Sequence, residues 1–293
     1  MHKLGDFSPD HFGRRLLTGL SVWYACQRDQ RFSYGLYVPN RGLKIQDAPV
    51  LILVHGTGRD AQTERESWTS FADKHNLVIF VPLFPAGISS PDDVDGYKTI
   101  LDLCPGAQGT TIRYDQILLG MLEEVSERYH PLDTSTFFPA GHSGGAQFTL
   151  RMLYLHPEKL EAAMISAPGR ITIISDDFDW PLGTADVVSR FPDRVNGVEV
   201  CKIRKVPTLL TVGSADTSKE DLAAQNDDAQ NMHGLDRVTR ICSLEKHLLS
   251  LDLDVDKVVL EGGTHSDSSR TPTLQSFLHR QLTAHAGLTE DAV

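Results

Sequence analysis

Basic charge is scarce in this sequence. Its 28 Lys and Arg stand against 39 Asp and Glu, a formal net charge of −11 over 293 residues. Nucleic acid and anionic membrane both reward an excess of Lys and Arg, so neither is expected as a main partner. Long apolar runs are missing too. No stretch reaches the length of about 18 apolar residues that a membrane span needs, so no span is expected. The opening residues, Met1 to Pro9, carry no apolar core of signal-peptide length, and a cytoplasmic location is the expectation, with a trimmed secreted form as the alternative. Cysteine is sparse: Cys26, Cys104, Cys201 and Cys242 are widely spaced, with no C-x-x-C pair. Free thiols are expected, with a single Cys104–Cys201 disulfide as the alternative, and no zinc site. Neither an H-E-x-x-H motif nor a close His/Asp set occurs, so no metal or other cofactor is expected. No internal repeat or low-complexity linker divides the chain.

What is present is ordinary globular material, 40% hydrophobic and 23% charged. The length permits a substantial core in one large or two small domains. Strands are predicted at Val22–Cys26, Phe32–Val38, Val50–Val54, Leu77–Pro82, Thr136–Ala140, Ala162–Ser166, Val206–Val212 and Lys257–Leu260. The run Val50-Leu51-Ile52-Leu53-Val54 is apolar throughout, as in a parallel strand buried on both faces. Helical spacing is predicted over Glu64–His75, Ile112–His130, Phe148–His156, Ser218–Leu235, Asp236–Leu251 and Thr273–His285. Pro131 and Pro157 each stop a helix. The tail after Gly287 is expected to fray. Strands alternating with helices imply a mostly parallel sheet with helices on both faces. One domain over residues 1–293 is expected, with Ala167–Lys205 as a small lid inserted in it. The stretch Pro85–Thr111 reads as a long loop.

One stretch carries more chemistry than the rest. Phe137 to Ala140 is apolar, Gly141-His142-Ser143-Gly144-Gly145 is a tight turn, and Phe148 onward is helical. That is strand, turn and helix, with Ser143 at a strained apex. Gly141 and Gly145 leave room for strand and helix to approach, and the Gly144 N–H lies beside the serine at the positive end of a helix. Here the sequence resembles the α/β-hydrolase superfamily, whose nucleophile turn reads G-x-S-x-G. In an open parallel sheet, ligands sit beyond the carboxyl ends of the strands. Four strands end in loaded turns: His55-Gly56-Thr57-Gly58, Ser143, Asp216 and His265. The order Ser, Asp, His is that of the superfamily.

A serine hydroxyl needs an adjacent base, and the base needs a partner that fixes its tautomer. Ser143 as nucleophile, His265 as base and Asp216 as the orienting acid fill these roles. Asp176, Asp177, Asp179 and Asp221 are alternatives for the acid. His142, His55 and His247 sit on elements that do not suit the base, and His142 is expected to pack or support. The oxyanion donors expected are the N–H groups of Gly144 and Thr57. Tyr97, Phe178, Trp180 and Phe191 are candidates to bury an apolar acyl or aryl group, with packing of the lid as the other reading.

Within the superfamily the chain is most similar to the polyhydroxybutyrate depolymerase and feruloyl esterase-like branch. The cues are Leu36-Tyr37-Val38-Pro39, His55-Gly56-Thr57-Gly58-Arg59-Asp60-Ala61, Trp68 before Phe71-Ala72, and Gly141-His142-Ser143-Gly144-Gly145. The resemblance implies ester hydrolysis through an acyl-enzyme, with a small-molecule ester as substrate. An acyltransferase, thioesterase or carbon–carbon hydrolase would use the same triad. A non-catalytic ligand-binding protein on this scaffold is a third reading.

Overall fold

The computed structural model describes residues 3–8, 11–40, 44–101, 111–219, 222 and 233–285. Its packing divides the chain into two compact units, Met1–Pro139 and Ala140–Val293.

In the first unit, strands β1 (Gly19–Leu20), β2 (Tyr24–Ala25), β3 (Ser33–Val38), β4 (Val50–Val54) and β5 (Val78–Leu83) run with helices α1 (Ala61–Ser67), α2 (Thr69–His75) and α3 (Tyr114–Arg128). The sheet order is β1-β3-β5-β4, with β2 also on β3. β3 is antiparallel to β5, and β5 is parallel to β4. Every residue of β4 is buried, as its unbroken apolar run requires.

Two local expectations change here. The strand predicted over Val22–Cys26 shrinks to β2 at Tyr24–Ala25, with β1 a separate pairing before it; the Ser21 hydroxyl takes the Leu36 N–H at 2.9 Å and Val22 turns out to solvent. The helix predicted over Glu64–His75 breaks at Trp68. The Ser67 hydroxyl donates to the Glu64 carbonyl at 2.8 Å and that of Thr69 to the Glu66 carbonyl at 3.0 Å. Such side-chain bonds compete with the helical ladder, and buried Trp68 sits at the junction.

Past the end of β4, His55 is fully buried and uses both ring nitrogens. Nε2 accepts the Phe84 N–H at 3.0 Å, so Nδ1 carries the hydrogen and donates to the Gly56 carbonyl at 2.8 Å. The Tyr97 hydroxyl donates to the His55 carbonyl at 3.1 Å.

The second unit is the more regular. β6 (Phe138–His142), β7 (Ala163–Ser166), β8 (Thr208–Gly213) and β9 (Val255–Leu260) lie in that order, with neighbours parallel. Helices α4 (Gly144–Leu155), α5 (Arg237–Ser250) and α6 (Arg270–His285) follow β6, β8 and β9. All twelve residues of α4 are buried. α6 starts three residues earlier than predicted, because Pro272 is tolerated in a first turn, where its missing N–H would have had no partner. Most of the helix predicted over Ser218–Leu235 lies outside the described residues, as do Asp221, Cys104 and the tail after Gly287. Cys26, Cys201 and Cys242 are free thiols, and the alternative Cys104–Cys201 pairing falls on Cys104, outside the described residues.

The insertion Ala167–Lys205 leaves β7 through Ala167, which takes a left-handed φ of 48°. Its root is tied to two helices. Arg151 of α4 donates from Nε to the Thr172 hydroxyl at 3.0 Å, the Tyr154 hydroxyl donates to the Thr172 carbonyl at 3.0 Å, and the Ile174 N–H donates to His247 Nε2 of α5 at 2.9 Å. His247 is thus a structural acceptor.

Burial, more than any other influence, pushes the His55 pKa down from 6.5 to about 4. The unfolded chain therefore binds a proton at this site between those values and the folded chain does not. Stability from His55 is complete above pH about 6.5 and is lost as pH falls toward 4. Chemical denaturation from pH 7 to 4.5 should show stability falling, and His55→Asn should be weaker at pH 7 but flatter across that range, by up to about 1.4 kcal/mol per pH unit.

Candidate active site

Parallel strands deliver their carboxyl ends to one edge, and in the second unit three of those ends carry the expected chemistry. Register fixes them: His142 pairs with Ser166, Ser166 with Thr211, and Gly213 with Leu260. Ser143 follows β6 directly, Asp216 lies three residues beyond β8, and His265 five beyond β9.

Ser143 adopts φ 55° and ψ −111°, a strained conformation for a residue with a Cβ. It persists because both flanks are fixed. The Ser143 N–H donates to the Ser166 carbonyl at 2.9 Å, and the Ser143 carbonyl accepts from Gln147 at 3.3 Å as α4 begins. The approach of strand and helix is close enough that a Cβ on Gly141 would lie 2.2 Å from the backbone of Gly145. Gly144 opens α4, so its N–H belongs to the helix's unpaired first turn.

The turns after β8 and β9 are bonded into one piece. Ser214 and Ala215 donate to the carbonyls of Leu260 and Gly263, each at 2.9 Å. The result is that His265 Nδ1 lies 2.7 Å from Asp216 Oδ2. Asp216 is 2% exposed, while His265 keeps an open side. A carboxylate can only accept, so Nδ1 is the protonated nitrogen and Nε2 is left as the basic one.

Three strand spacings separate β9 from β6, about 14 Å. The His265 loop nevertheless returns to the tip of β6, where the His142 and His265 rings pack at a tilt with centroids 4.6 Å apart. His142 Nδ1 also lies 3.3 Å from the Ser166 hydroxyl. Burial first, then the positive charge of Arg270, holds the His142 pKa well below the ordinary imidazole value. His142 is therefore a neutral packing partner of the proposed base.

The structure thus brings Asp216 to His265 and packs His265 against the residue before Ser143. Asp176, Asp177 and Asp179 are exposed on the insertion. Thr57 belongs to the first unit, exposed on the turn after β4, where its carbonyl accepts from Arg59 at 2.6 Å. The four aromatic candidates sort by burial. Tyr97 is 1% exposed in the first unit, beneath the Arg59 guanidinium. Trp180 and Phe191 are 3% and 0% exposed and pack edge to face at 4.9 Å, with the Arg151 guanidinium over the indole. They form the inside of the insertion instead of an open wall, because both sides of the indole are occupied. Phe178 alone of the four is partly exposed.

One residue of the site had no signature in the sequence. Arg237, the first residue of α5, donates from Nη1 to Asp216 Oδ1 at 3.3 Å, with both side chains buried. No motif surrounds it, and only the fold shows its partner. Among the described residues no three His, Cys, Asp or Glu side chains group to hold a metal ion.

Comparisons with protein-family models and with curated proteins found no match. Solved structures do match. LpqC, a poly(3-hydroxybutyrate) depolymerase from Bordetella parapertussis, superposes with a TM-score of 0.73 at 21% identity, covering 94% of this chain and 96% of that one. The chain has the α/β-hydrolase fold. Poly(aspartic acid) hydrolase-1 from Sphingomonas sp. KT-1 gives a TM-score of 0.67 at 18% identity over 85% of this chain and 93% of that one. An S-formylglutathione hydrolase from Agrobacterium tumefaciens gives 0.60 at 17% identity over 90% and 93%. The scaffold is that of the esterases and hydrolases it superposes on.

Gly141→Ala should lower the urea midpoint and the soluble yield sharply, costing more than the roughly 1–3 kcal/mol of ordinary overpacking, since its neighbour is backbone and cannot move aside. Trp180→Ala should cost about 3–5 kcal/mol as a buried aromatic, so that melting temperature and activity on every ester fall together. A loss confined to aryl esters at an unchanged melting temperature would place Trp180 on the substrate instead.

Proposed function

We propose that this chain is a serine hydrolase that cleaves a carboxylic ester of a small molecule through an acyl-enzyme. The observation that carries the reading is the buried Asp216–His265 hydrogen bond, 2.7 Å long, beside a strained serine at the tip of β6. The α/β-hydrolase fold supports it, as do solved neighbours that include a ferulic acid esterase, with a TM-score of 0.55 at 14% identity.

In this mechanism His265 Nε2 takes the Ser143 hydroxyl proton as Oγ attacks the ester carbonyl carbon. Nδ1–H stays on Asp216, which fixes the tautomer and stabilises the imidazolium that forms. The Gly144 N–H donates to the oxyanion of the tetrahedral intermediate. His265 returns the proton to the departing alcohol, and Ser143 holds the acyl group. Water, deprotonated by His265, then attacks the acyl carbon, and the acid leaves with the serine proton restored.

A fluorophosphonate should add once to the protein, at Ser143, by intact mass. Ser143→Ala should abolish labelling and lower kcat by about 10³-fold or more on p-nitrophenyl, aryl or thioesters, whichever the parent prefers. Labelling that survives in Ser143→Ala would remove the serine from this role. Turnover of thioesters well above oxygen esters would redirect the reading to a thioesterase.

A further inference from the structure

We infer that Arg237 is a positioning residue of this site: its guanidinium holds the Asp216 carboxylate and, through it, sets the basicity of His265. The inference rests on the triad reading above.

The Asp216 carboxylate is divided between two partners. Oδ2 faces His265 Nδ1 at 2.7 Å, and Oδ1 accepts from Arg237 Nη1 at 3.3 Å. The Arg237 and Asp216 side chains are 3% and 1% exposed. A carboxylate buried to that degree needs a compensating charge in the resting state, when a neutral imidazole supplies none. Arg237 supplies it before the reaction starts. It also fixes the carboxylate rotamer from the side opposite the histidine.

The position of Arg237 strengthens the point. The first turn of a helix is the positive end of its dipole and disfavours a cation. The start of α5 is nonetheless held firmly: Thr239 N–H donates to Asp236 Oδ1 at 2.8 Å and Asp236 N–H to the Thr239 hydroxyl at 3.1 Å. A rigid helix end thus aims a cation where the helix alone would not favour one, and Asp216 is what it meets.

The consequence is electrostatic. Because Arg237 already shares the charge of that carboxylate, removing the guanidinium leaves more of it to the imidazolium that forms at His265. His142 of β6 packs tilted against the His265 ring, uncharged, and Arg270 at the start of α6 acts on His142. On the loop of His265 itself, Asp267 carries a carboxylate of opposite effect, its Oδ1 accepting from the Ser269 N–H at 2.8 Å, while its carbonyl accepts from Arg270 at 2.9 Å.

The test is the titration of His265 in the full chain carrying Ser143→Ala, by NMR of labelled histidine, assigned with His265→Gln. Arg237→Gln should raise the midpoint of His265 by about one unit, and in the Ser143 enzyme the acid limb of kcat/KM should move up equally with KM nearly unchanged. Arg237→Lys keeps the charge without the fork; it should restore most of the midpoint while kcat stays several-fold low. An unchanged midpoint in folded Arg237→Gln overturns the inference. If Arg237→Gln does not fold, Arg237→Lys decides: unchanged midpoint and unchanged kcat overturn it, and a lowered kcat with a small upward shift supports it. The titration needs no turnover, so failure of Ser143 labelling would sink the hydrolase reading and leave this measurement standing.

Discussion

The site depends on how closely two turns approach. The backbone of Gly213 lies so near Gly263 that a Cβ there would sit 2.1 Å from the Gly263 carbonyl oxygen. A side chain at Gly213 would drive the turns after β8 and β9 apart. With them together, two backbone hydrogen bonds weld the turns, and Asp216 and His265 fall within bonding distance. The Asp216–His265 contact is thus a product of backbone packing, prepared before any side chain chooses a rotamer.

Strain at Ser143 is sustained by the same logic. A non-glycine residue in that region costs on the order of 1–3 kcal/mol. The offset is local: β6 is paired to β7 up to His142, and α4 leaves the turn as a wholly buried helix. Neither element can relax to relieve the serine without exposing apolar surface, at about 25 cal/mol per Å². The burial of α4 is in this sense a requirement of the serine's geometry as much as of the core.

Much of this was legible in sequence, for identifiable reasons. Apolar runs such as Val50–Val54 mark buried parallel strands, because alternation is unnecessary when both faces are covered. The turn at Ser143 was readable because its glycines occupy places where only glycine fits. What stayed hidden depended on contacts across the fold. Arg237 lies twenty-one residues from its carboxylate, and nothing in spacing distinguishes it from a surface arginine at a helix start. Trp180 and Phe191 looked like pocket walls because aromatic residues in an irregular segment suit either role; only burial separates packing from exposure. The break at Trp68 goes with two hydroxyls, of Ser67 and Thr69, bonding carbonyls of the helix before it, an effect that the helical periodicity masks.

The insertion is built in two parts with opposite tolerances. Its root, at Thr172 and Ile174, is bonded to buried side chains of α4 and α5, and one of those helices begins at the serine. Its tip, around Asp176, Asp177 and Asp179, has side chains in solvent and backbone bonds only within the insertion, the Asp179 carbonyl accepting from Leu182 and Gly183. Exchange of side chains at the tip therefore leaves the helix register at Ser143 intact, whereas an altered root is felt along a helix whose first turn follows Ser143. Evolutionary drift and grafting experiments alike have free ground at the tip and little at the root.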